Sequence, residues 1–153
     1  MSGAGEELSH VTADGSVRMV DVGAKPQARR RAVARATVRM AAGTAARLRR
    51  LPKGDALVAA QLAGIMAAKR TSDLIPLCHP LPLTSVDVRL TVGERAVEIE
   101  ASAETVAQTG VEMEALVAAT TAALTVYDMA KAVDRSMSVT DVTLVEKHKE
   151  PAT

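Results

Sequence analysis

The chain contains no phenylalanine and no tryptophan, and its one tyrosine is Tyr127. Single-stranded nucleic acids are usually held on aromatic platforms, so that mode of binding is largely excluded. The core must also be aliphatic and small, because aromatic side chains carry the largest buried area per residue. Such a chain gains buried area by self-association. Cysteine is nearly absent too. Cys78 alone rules out an internal disulfide and fits a reducing compartment. No apolar run is long enough to span a bilayer. Met1 to His10 is acidic and lacks the apolar core of a secretory signal. The expected location is cytoplasmic, with no membrane partner.

What is present fits one domain. The 153 residues are 48% hydrophobic, enough for a globular core of modest size. Residues 1–18, rich in Gly, Ser and acids, read as a flexible leader. Residues 19–147 read as the domain, and 148–153 as a short tail. Net charge is +1, but Arg29, Arg30, Arg31, Arg35, Arg39, Arg47, Arg49 and Arg50 crowd one region. Such a row can hold phosphate or be the wet face of a strand.

Hydrophobic periodicity orders the elements. Arg31, Val33, Arg35, Thr37 and Arg39 alternate with Ala32, Ala34, Ala36, Val38 and Met40, a period of two that predicts a half-buried strand. Thr44 to Leu51 reads as a short helix stopped by Pro52. Asp55 is a candidate N-cap for a longer helix. Its apolar stripe would be Leu57, Val58, Leu62, Ile65 and Met66, and it should end near Lys69-Arg70. Val86 to Val92 and Val97 to Glu104 alternate around a Gly93-Glu94 turn, a β-hairpin signature. A long helix runs from about Val111 to Val133, and Met137 to Glu146 reads as a last strand. The order βαββαβ predicts a ferredoxin-like α+β fold, an antiparallel sheet with helices packed on one face.

Lys69 to Leu83 packs Lys69, Arg70, Asp73, Cys78 and His79 among three prolines. Proline stiffens a loop, and a stiff loop bearing such groups suits ligand binding. Cys78-His79 resembles half of a metal site. Its missing partners argue against one, and no metal is expected. On the long helix, Glu114 and Asp128 share a face but lie ~21 Å apart along the axis, while Glu112 points to nearly the opposite side. That span exceeds one small-molecule pocket. If both ends serve chemistry, another chain must complete the pocket or there are two subsites. Asp128 and Lys131 are spaced to pair, an arrangement that also fits a plain surface ion pair. Lys53 precedes a helix start, where backbone N–H groups favour an anion.

Four segments, in order, resemble the cyclic pyranopterin monophosphate synthase family, protein C of molybdenum cofactor biosynthesis. They are Lys53-Gly54-Asp55; Ala67 to Leu81 through Leu77-Cys78-His79; Thr109 to Leu116 through Glu112-Met113-Glu114; and Leu124 to Val133 through Asp128 and Lys131. Met19-Val20-Asp21-Val22 is similar as well. The resemblance implies a ferredoxin-like fold assembled as a homohexamer, a trimer of dimers with active sites between subunits. It implies rearrangement of a 3′,8-cyclised GTP, supplied by an upstream radical enzyme, to the cyclic pyranopterin monophosphate with loss of pyrophosphate. By motif position it makes Asp128, Lys131 and Lys53 catalytic. It gives substrate contact to Leu77, Cys78, His79, Met113 and Glu114, and pocket roles to Lys69, Glu112 and Lys147. Arg30 is taken as the anion-binding arginine. No redox cofactor is implied, Mg²⁺ could accompany the triphosphate, and no nucleic-acid partner is expected. After Lys147 the chain reads His148-Lys149-Glu150-Pro151, where family members often carry Gly-Gly-Lys-Ser-Gly.

Overall fold

In a computed structural model, described for residues 8–152, four strands form one antiparallel sheet in the order β2-β3-β1-β4. The strands are β1 (Ala28–Arg39), β2 (Leu83–Val92), β3 (Ala96–Ala107) and β4 (Ser138–Pro151). Two long helices, α2 (Ala56–Lys69) and α4 (Glu112–Ala130), pack side by side against it. Single turns α1 (Ala42–Ala45) and α3 (Thr71–Leu74) complete the order. This is the expected ferredoxin-like α+β arrangement. No helix among the described residues is long and apolar enough to cross a membrane.

Small side chains set the packing. Ala32, Ala34, Ala36 and Val38 of β1 meet Ala115, Ala118, Ala119, Ala122 and Ala123 of α4 in one core. The inner face of α2 is Ala56, Leu57, Ala60, Gly64, Ala67 and Ala68. A Cβ on Gly64 would stand 2.9 Å from Val88 Cγ2 and 3.0 Å from the Ala118 carbonyl oxygen. The helix therefore approaches β2 and α4 more closely than any side chain would permit. This closeness corrects the expected stripe of α2. Val58, Leu62 and Met66 are 48%, 58% and 52% exposed, because the close approach around Gly64 leaves no room for long side chains there. Leu57 is buried and Ile65 half-buried.

Other boundaries move for identifiable reasons. The expected helix over Thr44 to Leu51 is a single turn, α1, followed by hydrogen-bonded turns. The expected wet face of β1 is partly dry, since Val33 and Thr37 are buried. The arginines of that face pair with neighbouring strands: Arg31 with Glu104 and Glu146, Arg35 with Glu100, and Arg39 with Asp141. Asp55 caps α2 as expected, accepting from the Leu57 and Val58 N–H groups. Residues 148–151 are not a separate tail. β4 pairs with β1 as far as Pro151 opposite Ala28. Residues 1–7 of the expected leader lie outside the described residues. Residues 8–18 carry a Val11–Val17 bridge, and Ser9 and His10 line a cavity.

Candidate active site

The first group forms where α4 ends. Lys53 lies in a tight reversal, with Gly54 N–H donating to the Leu51 carbonyl at 2.9 Å and Leu51 N–H donating to that of Gly54 at 3.1 Å. Gly54 has φ +114°, a conformation that side chains disfavour. The reversal carries Lys53 to the last turn of α4. There Nζ donates to Asp128 Oδ2 at 3.0 Å and to the Asp128 carbonyl at 3.3 Å. Lys131 Nζ stands 3.1 Å from Asp128 Oδ1. A carboxylate near a helix C-terminus opposes the dipole. Here the hydrogen bond from Lys53, then that from Lys131, holds Asp128 below the usual carboxylate range. The trio carries net +1, and all three side chains are half-exposed. It offers one anionic proton acceptor and two ammonium donors to an anionic ligand.

The second group surrounds an open cavity of about 490 Å³. The loop before β2 supplies Leu77, Cys78 and His79. The start of α4 supplies Glu112 and Met113, and the N-terminal segment supplies His10, Val20 and Lys25. His79 Nε2 lies 2.6 Å from the Val20 carbonyl oxygen. A carbonyl only accepts, so Nε2 bears the hydrogen, and in the neutral ring Nδ1 is then the acceptor. Lys147 of β4 holds Glu112 at 2.7 Å. Burial pushes the Glu112 carboxyl up, but the Lys147 hydrogen bond, its own backbone N–H and the Lys147 and Arg30 charges outweigh it. The group stays below its ordinary range. Arg30 donates to the Gln108 carbonyl at 3.3 Å, while its Nε is buried without a partner among the described residues.

Most of the residues singled out in the sequence fall into these groups. Lys53, Asp128 and Lys131 form one. Leu77, Cys78, His79, Glu112 and Met113 line the other, and Lys147 and Arg30 bear on it through Glu112. Glu114 lies beneath the second group, buried against Cys78. Lys69 joins neither. It is exposed at the end of α2 and makes no ion pair among the described residues. The length of α4 separates the two groups within one protomer. Sequence reading missed His10, Val20 and Lys25, whose positions depend on the path of an irregular segment. It also missed Asp134, which is buried and accepts from the Ala41 N–H, the Thr44 hydroxyl and the Ser136 N–H and hydroxyl. Asp-x-Ser after a helix end is an Asx-turn signature and could have marked it. No group of three or more His, Cys, Asp or Glu among the described residues is placed to hold a metal.

The MoaC family model matches residues 19–150. The chain is 57% identical over 145 residues to the cyclic pyranopterin monophosphate synthase of Roseiflexus sp. (strain RS-1), covering 92% of each chain. It is 56% identical over 146 residues to that of Heliobacterium modesticaldum, covering 93% of this chain and 92% of the other. It is 51% identical over 148 residues to that of Parvibaculum lavamentivorans, covering 94% and 92%.

Proposed function

This chain belongs to the MoaC family, and on that premise we propose that it catalyses the cyclic pyranopterin monophosphate synthase reaction of molybdenum cofactor biosynthesis. A 3′,8-cyclised GTP is rearranged to the cyclic pyranopterin monophosphate, and pyrophosphate leaves. The observation that carries this reading is Asp128 held between Lys53 and Lys131 at 3.0 and 3.1 Å. The rearrangement needs proton transfers. An ionised carboxylate can accept a proton, and two ammonium groups can donate one. Phosphate release needs cations at the leaving group, which the lysines and Arg30 supply. In the cavity, His79 Nδ1 and the Glu112 carboxylate are acceptors suited to the N–H groups of a pterin precursor.

The two groups lie at opposite ends of α4, ~21 Å apart by helix rise. One substrate cannot reach both in one protomer. The Lys53–Asp128–Lys131 group of one copy therefore meets the cavity of another, in a homohexamer built as a trimer of dimers. The enzyme works in the cytoplasm on the product of a radical GTP cyclase, with no resident cofactor, and Mg²⁺ enters only with the triphosphate. The test is incubation of the purified chain with the cyclised nucleotide. Pterin and pyrophosphate should appear in equal amounts. Neither product, from protein of hexameric mass, would overturn the reading.

A further inference from the structure

Residues 8–25, which lead into β1, are organised yet barely attached. Arg18 N–H donates to the His10 carbonyl and Thr12 N–H to that of Ser16, each at 2.8 Å, around Gly15 at φ +84°. Thr12, Asp14, Gly15 and Ser16 are turn-forming types, so the segment is shaped by its own sequence. Yet none of residues 8–25 is buried. No ion pair joins them to the rest of the chain among the described residues. An isolated two-stranded hairpin is only marginally stable. Among the described residues, one hydrogen bond ties the segment to the body, from His79 Nε2 to the Val20 carbonyl at 2.6 Å. The segment still reaches the cavity, whose lining includes Ser9, His10, Val20, Val22 and Lys25. One wall of the cavity is therefore pre-shaped, exposed and fastened by a single polar contact.

We propose that residues 8–25 are a strap that closes over the ligand of the cavity, with His79 as its latch. The strap leaves β1 at a turn, where Asp21 Oδ1 accepts from the Gly23 N–H at 2.8 Å and Lys25 N–H donates to the Val22 carbonyl at 3.0 Å. Beyond that turn only the latch resists its movement. The latch needs the hydrogen on Nε2. A neutral ring with its hydrogen on Nδ1 turns a lone pair toward the Val20 carbonyl and lets the strap go. A single hydrogen bond shifts the balance of open and closed forms only a few-fold, so the strap can open to admit a ligand and release a product. A ligand that fills the cavity touches the strap on one side and the loop before β2 on the other. It therefore favours the closed strap, and by reciprocity the closed strap favours the ligand. Closure also takes the ligand out of bulk water, as lids do.

The closing over a ligand rests on the synthase reading, and the latch does not. Trypsin reports on the strap. Arg18 is the first Lys or Arg of the chain, and Lys25 is followed by Pro26, a bond that trypsin leaves intact. Cutting after Arg18 requires the chain around it to extend, which takes Val20 off His79. With opening fast relative to cleavage, the rate follows the open population. His79→Ala removes the latch and should speed release of residues 1–18 by about fivefold, the scale of one hydrogen bond. Cuts within the sheet and helices should not change. His79→Gln keeps an amide donor at the reach of Nε2 and should release the peptide at close to the intact rate. His79→Asn is too short to reach Val20 and should behave as His79→Ala does, so it serves if His79→Ala does not fold. Asp128→Asn, which lacks the proton acceptor, holds the cyclised nucleotide without consuming it. The nucleotide should slow release of residues 1–18 from that variant at least about tenfold. Equal release from the intact protein, His79→Ala and His79→Asn would overturn the proposal. So would a protein that forms pterin but whose strap is cut as fast with the nucleotide as without it. Faster release from His79→Ala in a protein that never forms pterin would instead refute the synthase reading and leave the latch standing.

Discussion

Lys53 Nζ donates to Asp128 Oδ2 at 3.0 Å across 75 positions of sequence. The contact joins the turn before α2 to the end of α4, and Lys131 meets the other carboxylate oxygen at 3.1 Å. The ion pairs are too exposed to matter much for stability. Their value is in placing one acceptor and two donors within reach of a single ligand.

Asp128→Asn keeps the shape and removes the charge and the proton-accepting capacity, and Lys131→Ala removes one donor. Each should lower pterin formation by at least about 100-fold, the scale of losing a general acid or base. Thermal stability and scattering mass should hardly change, because neither side chain is in the core. Turnover near that of the intact protein in both variants would refute the assignment. Loss of assembly in either would reassign the residue to structure.

Asp134 ties α1 to the end of α4. The Ser136 hydroxyl and the Ala41 and Ser136 N–H groups hold its carboxyl well below the usual range, with burial opposing and the Thr44 hydroxyl adding. A carboxyl depressed in the folded state stabilises the fold above its unfolded pKa of ~3.9 and loses that contribution as pH falls through the folded value. Asp134→Ala strands the Ala41 and Thr44 donors and should cost about 2–3 kcal/mol at neutral pH. Melting followed by circular dichroism should show the gap between the two proteins narrowing below about pH 4, where the intact protein loses the same contribution. A gap independent of pH would mean that Asp134 acts by packing alone.

Much of this fold could be read locally. Asp55 before an apolar run signals an N-cap, and it caps α2. Glu98, Glu100, Ser102 and Glu104 alternate with Val97, Ile99, Ala101 and Ala103, and the second set is the buried one. The faces of α2 were not legible, because hydropathy ranks Leu62 and Met66 above Ala60 and Gly64 while the close approach of Val88 and Ala118 around Gly64 leaves no room for long side chains there. For the site, residue types and motif order pointed to Asp128, Lys131, Lys53 and the Cys78-His79 turn. Their contacts were not legible. That Lys53 reaches Asp128, that Lys147 holds Glu112 and that His79 bonds the Val20 carbonyl all follow from chain paths that no local pattern encodes.

The exposed stripe of Val58, Leu62 and Met66 bears on assembly. Burying each such side chain contributes about 1.5–3 kcal/mol, so a stripe that closes a subunit contact should tolerate no charge. Light scattering of the intact chain should give the mass of a hexamer. Leu62→Lys and Met66→Lys should lower that mass while leaving the far-ultraviolet circular dichroism unchanged. A full hexamer in both variants would place the contacts on another surface, and a stable, active monomer of the intact chain would refute assembly altogether.

The two groups of site residues make a stricter test of how the site is completed. Glu112→Gln damages the cavity group, and Asp128→Asn damages the lysine-flanked group at the other end of α4. Each variant alone should be nearly inactive. Suppose the two are unfolded together, refolded as a mixture and assembled at random. A mixed dimer then holds one site with both faults and one site with neither, since a two-fold interface presents the same pair of surfaces twice. Half of the dimers are mixed, so the mixture should regain about a quarter of the intact activity. A site built within one protomer would leave every chain with one fault and the mixture inactive. Pterin formation against mixing ratio, peaking at equal amounts, separates the two cases. A flat, inactive profile from assembled protein would show that each protomer must bring both groups to the substrate itself.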